Sequence, residues 1–370
     1  MLYLATMSKQ IPTLLPILTL SLLTIPTKTW AHEAYVLEKE AFWTELSKPW
    51  SAHALSALQN PHNLAITTYI TIGVLTLLTC NFLFRRSKAG KAFHTWIESY
   101  SHIGPIFVRI AIASALFFSA ISNSFLGPEL SLNAFQFPTL VRLALGAISI
   151  MIIFGIFTEI SALLGLAIYI TAFKTFGAYV LTYTNYLGEL LVLALFGMRQ
   201  WSIDTLVLGK LKGIRKKYEK YETTIVRILY GFGLIYAGIT VKFLHPDLTL
   251  KVATDWNLAQ FPWLFPSDPL LTTFGAGLAE TAIGLFIILG FELRLTVLIS
   301  LFYITMSLFF FQELVWPHYL LYGISLSLLV QPETFTLDHL LFSKRNKKIK
   351  WWHRPFLAHH PHGKSQKHPK

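Results

Sequence analysis

Charge is what this 370-residue chain has least of. Asp, Glu, Lys and Arg together make 14% of it, against 54% hydrophobic residues. A soluble domain carries about 25% charged residues, so too few polar side chains exist to cover a water-facing surface. The mean hydropathy of +0.52 agrees. A soluble globular enzyme and an intrinsically disordered chain are both excluded. Cysteine is almost absent: Cys80 stands alone, which rules out an intramolecular disulfide, a CxxC redox pair and a cysteine-built zinc site. There is no Walker loop, GxGxxG turn, HExxH pair or nucleophile elbow, and so none of the soluble chemistries those motifs carry. The formal charge of +12 comes with no nucleic-acid-binding motif. The expected partner is a lipid bilayer, with no nucleic acid.

What the chain does have is apolar runs. The first, Ile11 to Ile25, is interrupted by Pro12 and Pro16 and falls short of the roughly 20 residues that cross a bilayer core. Lys9 precedes it and Thr29-Trp30-Ala31 follows, the layout of a secretory signal peptide cleaved after Ala31. An uncleaved anchor is the alternative. Either form exports residues 32–66.

Runs of spanning length recur near 67–84, 105–125, 138–157, 160–180, 186–200, 224–244, 271–290, 293–312 and 315–331. The fold class expected is therefore all-α integral membrane, with about nine transmembrane helices. In lipid every backbone polar group needs an internal partner, which makes such runs helices. Alternation from an exported start leaves 85–104, 199–223 and 332–370 inside. These hold four, seven and nine basic residues, 20 of the chain's 31, and the exported segments hold Lys39, Lys48 and Lys251. The bias orients the protein in the plasma (inner) membrane, with the N-terminal segment outside and the C-terminal tail cytoplasmic. Loop 199–223 and the His-rich basic tail need no role beyond topology on this reading.

Offset by 118 residues, VRIAIASALFFSAISNSFLGP (Val108–Pro128) lies on VRILYGFGLIYAGITVKFLHP (Val226–Pro246) without gaps, identical at eight of 21 positions. IYIT at 168–171 and NYL at 185–187 then face FYIT at 302–305 and HYL at 318–320. Each copy holds four spans, so the repeat is parallel. The domain plan follows: signal peptide 1–31; extracytoplasmic segment 32–66; an extra span and cytoplasmic loop 67–104; repeat 1 over 105–200; a basic linker 201–223; repeat 2 over 224–331; and the tail 332–370.

Arg227 at the start of its helix, AGITVKFLHP (Ala237–Pro246), GAGLAETAIGLFIILGFELR (Gly275–Arg294) and WPHYLLYG (Trp316–Gly323) together resemble the DoxX/DoxD-like family of four-helix membrane proteins. The likeness covers about 224–331, and 105–200 more weakly. The resemblance implies a link to quinone-coupled sulfur oxidation or thiol-redox homeostasis, with a redox partner protein. The alternative is a non-enzymatic transporter or scaffold.

Ionisable groups inside spans are costly enough to mark function. Glu280 sits mid-helix, Lys242 and His245 end one helix, and His318 begins another on the same side. Convergence of the four would supply the proton-exchanging group, donor and apolar wall that a quinone head group needs. The plain alternatives are a snorkelling lysine and a histidine in interfacial water. Ser124, Gly127 and Asn185 stand opposite Lys242, His245 and His318, so repeat 1 is expected to be a degenerate partner, with Arg142 and Glu189 as a structural ion pair. Cys80, in the extra span, is expected to be buried and unable to run dithiol exchange alone. Cleavage after Ala31 would also expose His32, whose amine and imidazole chelate copper, with His53 or His62 completing the site. Any residue can follow a signal peptide, which makes copper the weaker expectation.

Overall fold

The computed structural model describes residues 37, 39–197, 202–204, 218–311 and 316–342. The expected signal peptide, His32 and most of the basic tail lie outside them. Among the described residues the regular elements are all helices, apart from one isolated antiparallel bridge, Ser124 to Ser131. The helices are α1 Lys39–Leu46, α2 Pro61–Arg86, α3 Lys88–Glu98, α4 Gly104–Ile121, α5 Pro138–Phe154, α6 Thr158–Phe176, α7 Thr184–Phe196, α8 Glu222–Ala237, α9 Pro246–Asp255, α10 Pro269–Leu289, α11 Leu293–Phe311, α12 Trp316–Val330 and α13 Leu337–Phe342.

Among the described residues six helical segments are long and apolar enough to cross a membrane: Pro61–Arg86, Lys88–Ile121, Thr158–Phe196, Glu222–Phe243, Pro269–Leu289 and Leu293–Phe311. α5 is a shorter apolar helix, and α12 has 15 residues. Large apolar side chains such as Leu140, Leu143, Leu163, Phe302 and Phe309 face outward. Water would penalise that outward apolar surface and lipid tails do not. These features make a multi-pass membrane protein.

The helices pack crosswise. α4 lies against α5 and α8 against α10, yet α4 also packs on α12 and α8 on α7. Small residues permit these crossings. A Cβ on Gly323 of α12 would meet Ala111 Cβ and the Phe107 carbonyl of α4. One on Gly188 of α7 would lie 3.1 Å from Leu229 Cβ of α8.

Two turns share one construction. α5 ends at Gly155 (φ +64°) and α10 at Gly290 (φ +61°), the left-handed cap that glycine adopts without a Cβ penalty. Asp204 then accepts from Phe157 N (2.8 Å) and Thr158 N (3.0 Å), while its own N–H donates to Gly155 O at 3.0 Å. Asp338 accepts from Glu292 N and Leu293 N (both 2.7 Å), and its N–H donates to Gly290 O at 3.1 Å. Each carboxylate caps the donors that open the following helix. Asp204 lies in loop 199–223, expected to serve topology alone, and that expectation is corrected: the segment also fastens a helix end, as Asp338 does ahead of the basic run that starts at Lys344.

α2 is attached differently. Asn63 at one end donates to Asp268 Oδ2 (2.6 Å). Arg85 at the other pairs with Asp338 (2.5 Å), Glu333 (2.5 Å) and Glu292 (3.4 Å). Between these anchors its most apolar window buries nothing, and a Cβ on Gly73 would meet open space. Cys80, expected to be buried, is exposed on this helix, because only the ends of α2 touch the bundle.

Candidate functional site

A break in the helix places the first functional group. α8 continues as a π-helical turn, Gly238–Phe243, and such turns recur at functional sites. The turn carries Lys242 into the bundle, where its Nζ lies 3.1 Å from Glu280 Oε2 of α10. The side chains are 4% and 8% exposed. Close approach of the two backbones makes this contact possible. A Cβ on Gly238 would lie 2.6 Å from Thr281 Oγ1, and one on Gly277 would lie 3.0 Å from Lys242 Cβ. Two turns along, Gly231 and Gly284 face each other, a Cβ on either reaching 2.5 Å from the other's carbonyl oxygen. Such small-residue pairs allow helices in lipid to touch backbone to backbone. Glu280 Oε2 has charge contact with the ammonium but no aligned hydrogen-bond partner among the described residues.

Beside Glu280 is a cavity of about 90 Å³. His318, at the start of α12 and 7% exposed, forms part of its wall, with Ser300 and Tyr303 from α11. Tyr230 ties this wall together, its hydroxyl 2.9 Å from Ser300 Oγ and 3.1 Å from Ser325 Oγ. The N-terminal half adds Thr182, Tyr183 and Asn185 to the wall. Sequence reasoning assigned ligand chemistry to the C-terminal half alone. The crosswise packing of α7 on α8 is what brings both halves to one cavity, with Asn185 and His318 in the same lining.

Three of the four expected residues therefore assemble: Glu280 and His318 at the cavity, and Lys242 on Glu280. His245 does not join them. It is buried near Glu45, where burial pushes its imidazole below the ordinary range and Glu45 opposes that. The chain turns there to bring Leu244 O to Ser51 N at 3.0 Å, so His245 faces segment 39–60. Arg142 and Glu189 do not pair either. Arg142 Nε donates to Ala120 O at 2.9 Å, while Glu189 is buried with Oε1 unpartnered among the described residues.

The copper expectation gains nothing. His53 sits between Ser51 Oγ (2.8 Å) and Asp247 Oδ1 (3.2 Å), and His62 is at the start of α2. Among the described residues no group of three or more His, Cys, Asp or Glu could hold a metal.

A second polar cluster, missed from sequence, closes the opposite end of the bundle. Arg294 donates to Leu329 O (3.1 Å), Glu98 Oε1 (3.0 Å) and His94 Nδ1. Arg85 and Asn81 hold the carboxylates of Glu292, Glu333 and Asp338. Burial pushes Glu292 and Glu333 above the ordinary carboxylate range, and Arg85 opposes it. The signal available was Arg85-Arg86 at the end of a span, which also reads as a topology signal.

No protein-family model, curated protein or solved structure matches the chain.

Proposed function

We propose that this is a plasma (inner) membrane protein of the DoxX-like type, a membrane subunit of a quinone- or thiol-linked redox system. Its nine helices of the sequence reading form two four-helix repeats plus the extra span α2, with the N-terminal segment outside and the basic tail cytoplasmic. The paired turns at Asp204 and Asp338 and the exchange of α4–α12 for α8–α7 packing support the repeat reading. One observation carries the function: a lysine–carboxylate pair buried at 3.1 Å beside a cavity walled by His318. Keeping two opposite charges inside a span is expensive. In the proposed role Lys242 offers a donor to a carbonyl oxygen, and Glu280 and His318 exchange protons with it.

A second reading, transport without redox chemistry, is favoured by the volume. A cavity of about 90 Å³ is well below the roughly 300 Å³ of ordinary ligand pockets and suits a few waters. Quinone extraction and redox difference spectra of the purified protein separate the two. Bound quinone, lost in Glu280→Gln and His318→Ala, supports the redox role. Protein free of quinone that drives solute uptake in proteoliposomes supports transport.

A further inference from the structure

The turn between α4 and α5 holds a carboxyl that neither reading uses. Glu129 is 2% exposed. Its Oε1 accepts from Tyr183 Oη at 2.6 Å, and its Oε2 is buried with no hydrogen-bond partner among the described residues. Gly127 makes the room, since a Cβ there would strike both Tyr183 Oη and the Glu129 carboxylate. Tyr183 also forms part of the wall of the cavity that holds Glu280 and His318. One tyrosine thus touches both the isolated carboxyl and the intramembrane site.

The groups around Glu129 come from every neighbouring element. Tyr179 and Tyr183 lie on the 3-10 turn Gly177–Tyr183, Tyr186 on α7, and Lys39 on α1 acts at longer range. α1 covers them. Phe42 and Trp43 meet the Tyr179 ring edge-on at 5.3 and 5.4 Å, and Trp43 stacks on Phe176 at 6.3 Å. Water is kept from the carboxyl, and a buried acid without a cationic partner prefers its neutral form.

We propose that Glu129 is the proton-loading group of the cavity, exchanging protons with it through the Tyr183 hydroxyl. This rests on Glu280 and His318 forming a proton-exchanging site. When Glu129 is ionised, the Tyr183 hydroxyl donates to its Oε1, the contact seen at 2.6 Å. As its proton passes to Glu129 Oε1, the phenol oxygen takes one from the His318 imidazolium or a hydronium in the cavity, which is left as neutral imidazole or water. The reverse transfer returns it, and Tyr183 ends each step neutral. α1 sets how readily bulk water reaches the carboxyl. Burial raises the Glu129 carboxyl to about 7, with Tyr183 opposing, so both forms are present at neutral pH.

The test is infrared difference spectroscopy after a pH jump, on the full chain in lipid vesicles. A protonated-carboxyl band titrating near 7 is expected and should vanish in Glu129→Gln. Tyr183→Phe keeps the ring and should leave that band in place. It should slow proton exchange at the band lost in Glu280→Gln by on the order of a hundredfold, the scale of a positioned proton relay. Trp43→Ala should move the Glu129 titration toward that of an ordinary carboxylate. A Glu129 band that titrates as an exposed acid, or exchange at Glu280 untouched by Tyr183→Phe, overturns the proposal. If Glu129→Gln does not fold, the Tyr183→Phe rate still decides. Quinone content of the same vesicles reports separately on the redox reading, which can fail while the relay stands.

Discussion

Breaking the Lys242–Glu280 pair should cost far more than removing it. At 3.1 Å the Coulomb attraction is roughly 5 kcal/mol at an effective dielectric constant of about 20. Desolvating two ions costs several kcal/mol each, so the intact pair is close to neutral against an apolar replacement. A lone survivor is different. Glu280→Gln strands the ammonium and Lys242→Met strands the carboxylate, and each should destabilise by about 3–5 kcal/mol. The double variant Lys242→Met/Glu280→Leu strands neither and should cost no more than about 1 kcal/mol, giving a coupling energy of roughly 5 kcal/mol or more. Reversible unfolding of the purified protein in mixed detergent micelles measures all four corners of the cycle. Two results refute the reasoning. One is single variants costing under about 1 kcal/mol, as exposed pairs do. The other is a double variant whose loss equals the sum of the singles.

The matched turns give a graded pair of effects. Asp204→Ala should cost about 1 kcal/mol, the worth of a cap, and Asp338→Ala about 2–4 kcal/mol, because it also removes a buried charged hydrogen bond to Arg85, which keeps Glu333 and Glu292; thermal unfolding ranks them. Gly290→Ala places a Cβ at φ +61°, 2.5 Å from Arg227 Nη1, and should lose at least about 1–2 kcal/mol, whereas Gly73→Ala, which meets open space, should gain about 0.5–1 kcal/mol. Stability should also fall with rising pH between 4.5 and about 7 through Glu129. The native state holds that proton through this window and the unfolded chain has released it. Glu129→Gln should abolish this component of a stability–pH curve.

Much of the architecture was legible because apolar run length reports directly on helices. Each of the nine expected runs has a helix at its place, from α2 at 61–86 to α12 at 316–330. Glu280 and Lys242 were legible for the related reason that charge inside such a run stands out. Azimuth and register were not. His245 is three residues beyond Lys242, but the π-helical turn and Pro246 redirect the chain and carry it toward Glu45. Arg142 and Glu189 share an end of the bundle, but helix rotation sends Arg142 to a carbonyl of α4. Asp204, Asp338 and Glu129 escaped notice because they sit in polar connections, where a carboxylate ordinarily meets water. Only the tertiary fold shows that Glu129 and Asp338 are buried and that Asp204 is half-buried against the turn it caps. The contribution of Thr182, Tyr183 and Asn185 to the cavity likewise depends on packing between halves.

The attachment of α2 has a consequence for synthesis. Arg85 is made early, yet its partners Glu292, Glu333 and Asp338 follow 207 to 253 residues later. At about 5–20 residues per second the interval is on the order of tens of seconds. Throughout it the guanidinium has no carboxylate from its eventual site. α2 can enter the bilayer first but can dock only last, after α12 and α13 have emerged. A chain that stops short leaves a cation at the lipid boundary. The ribosome's order and the order of assembly run opposite ways for this helix, and a nascent chain missing its end carries a visible mark of being unfinished.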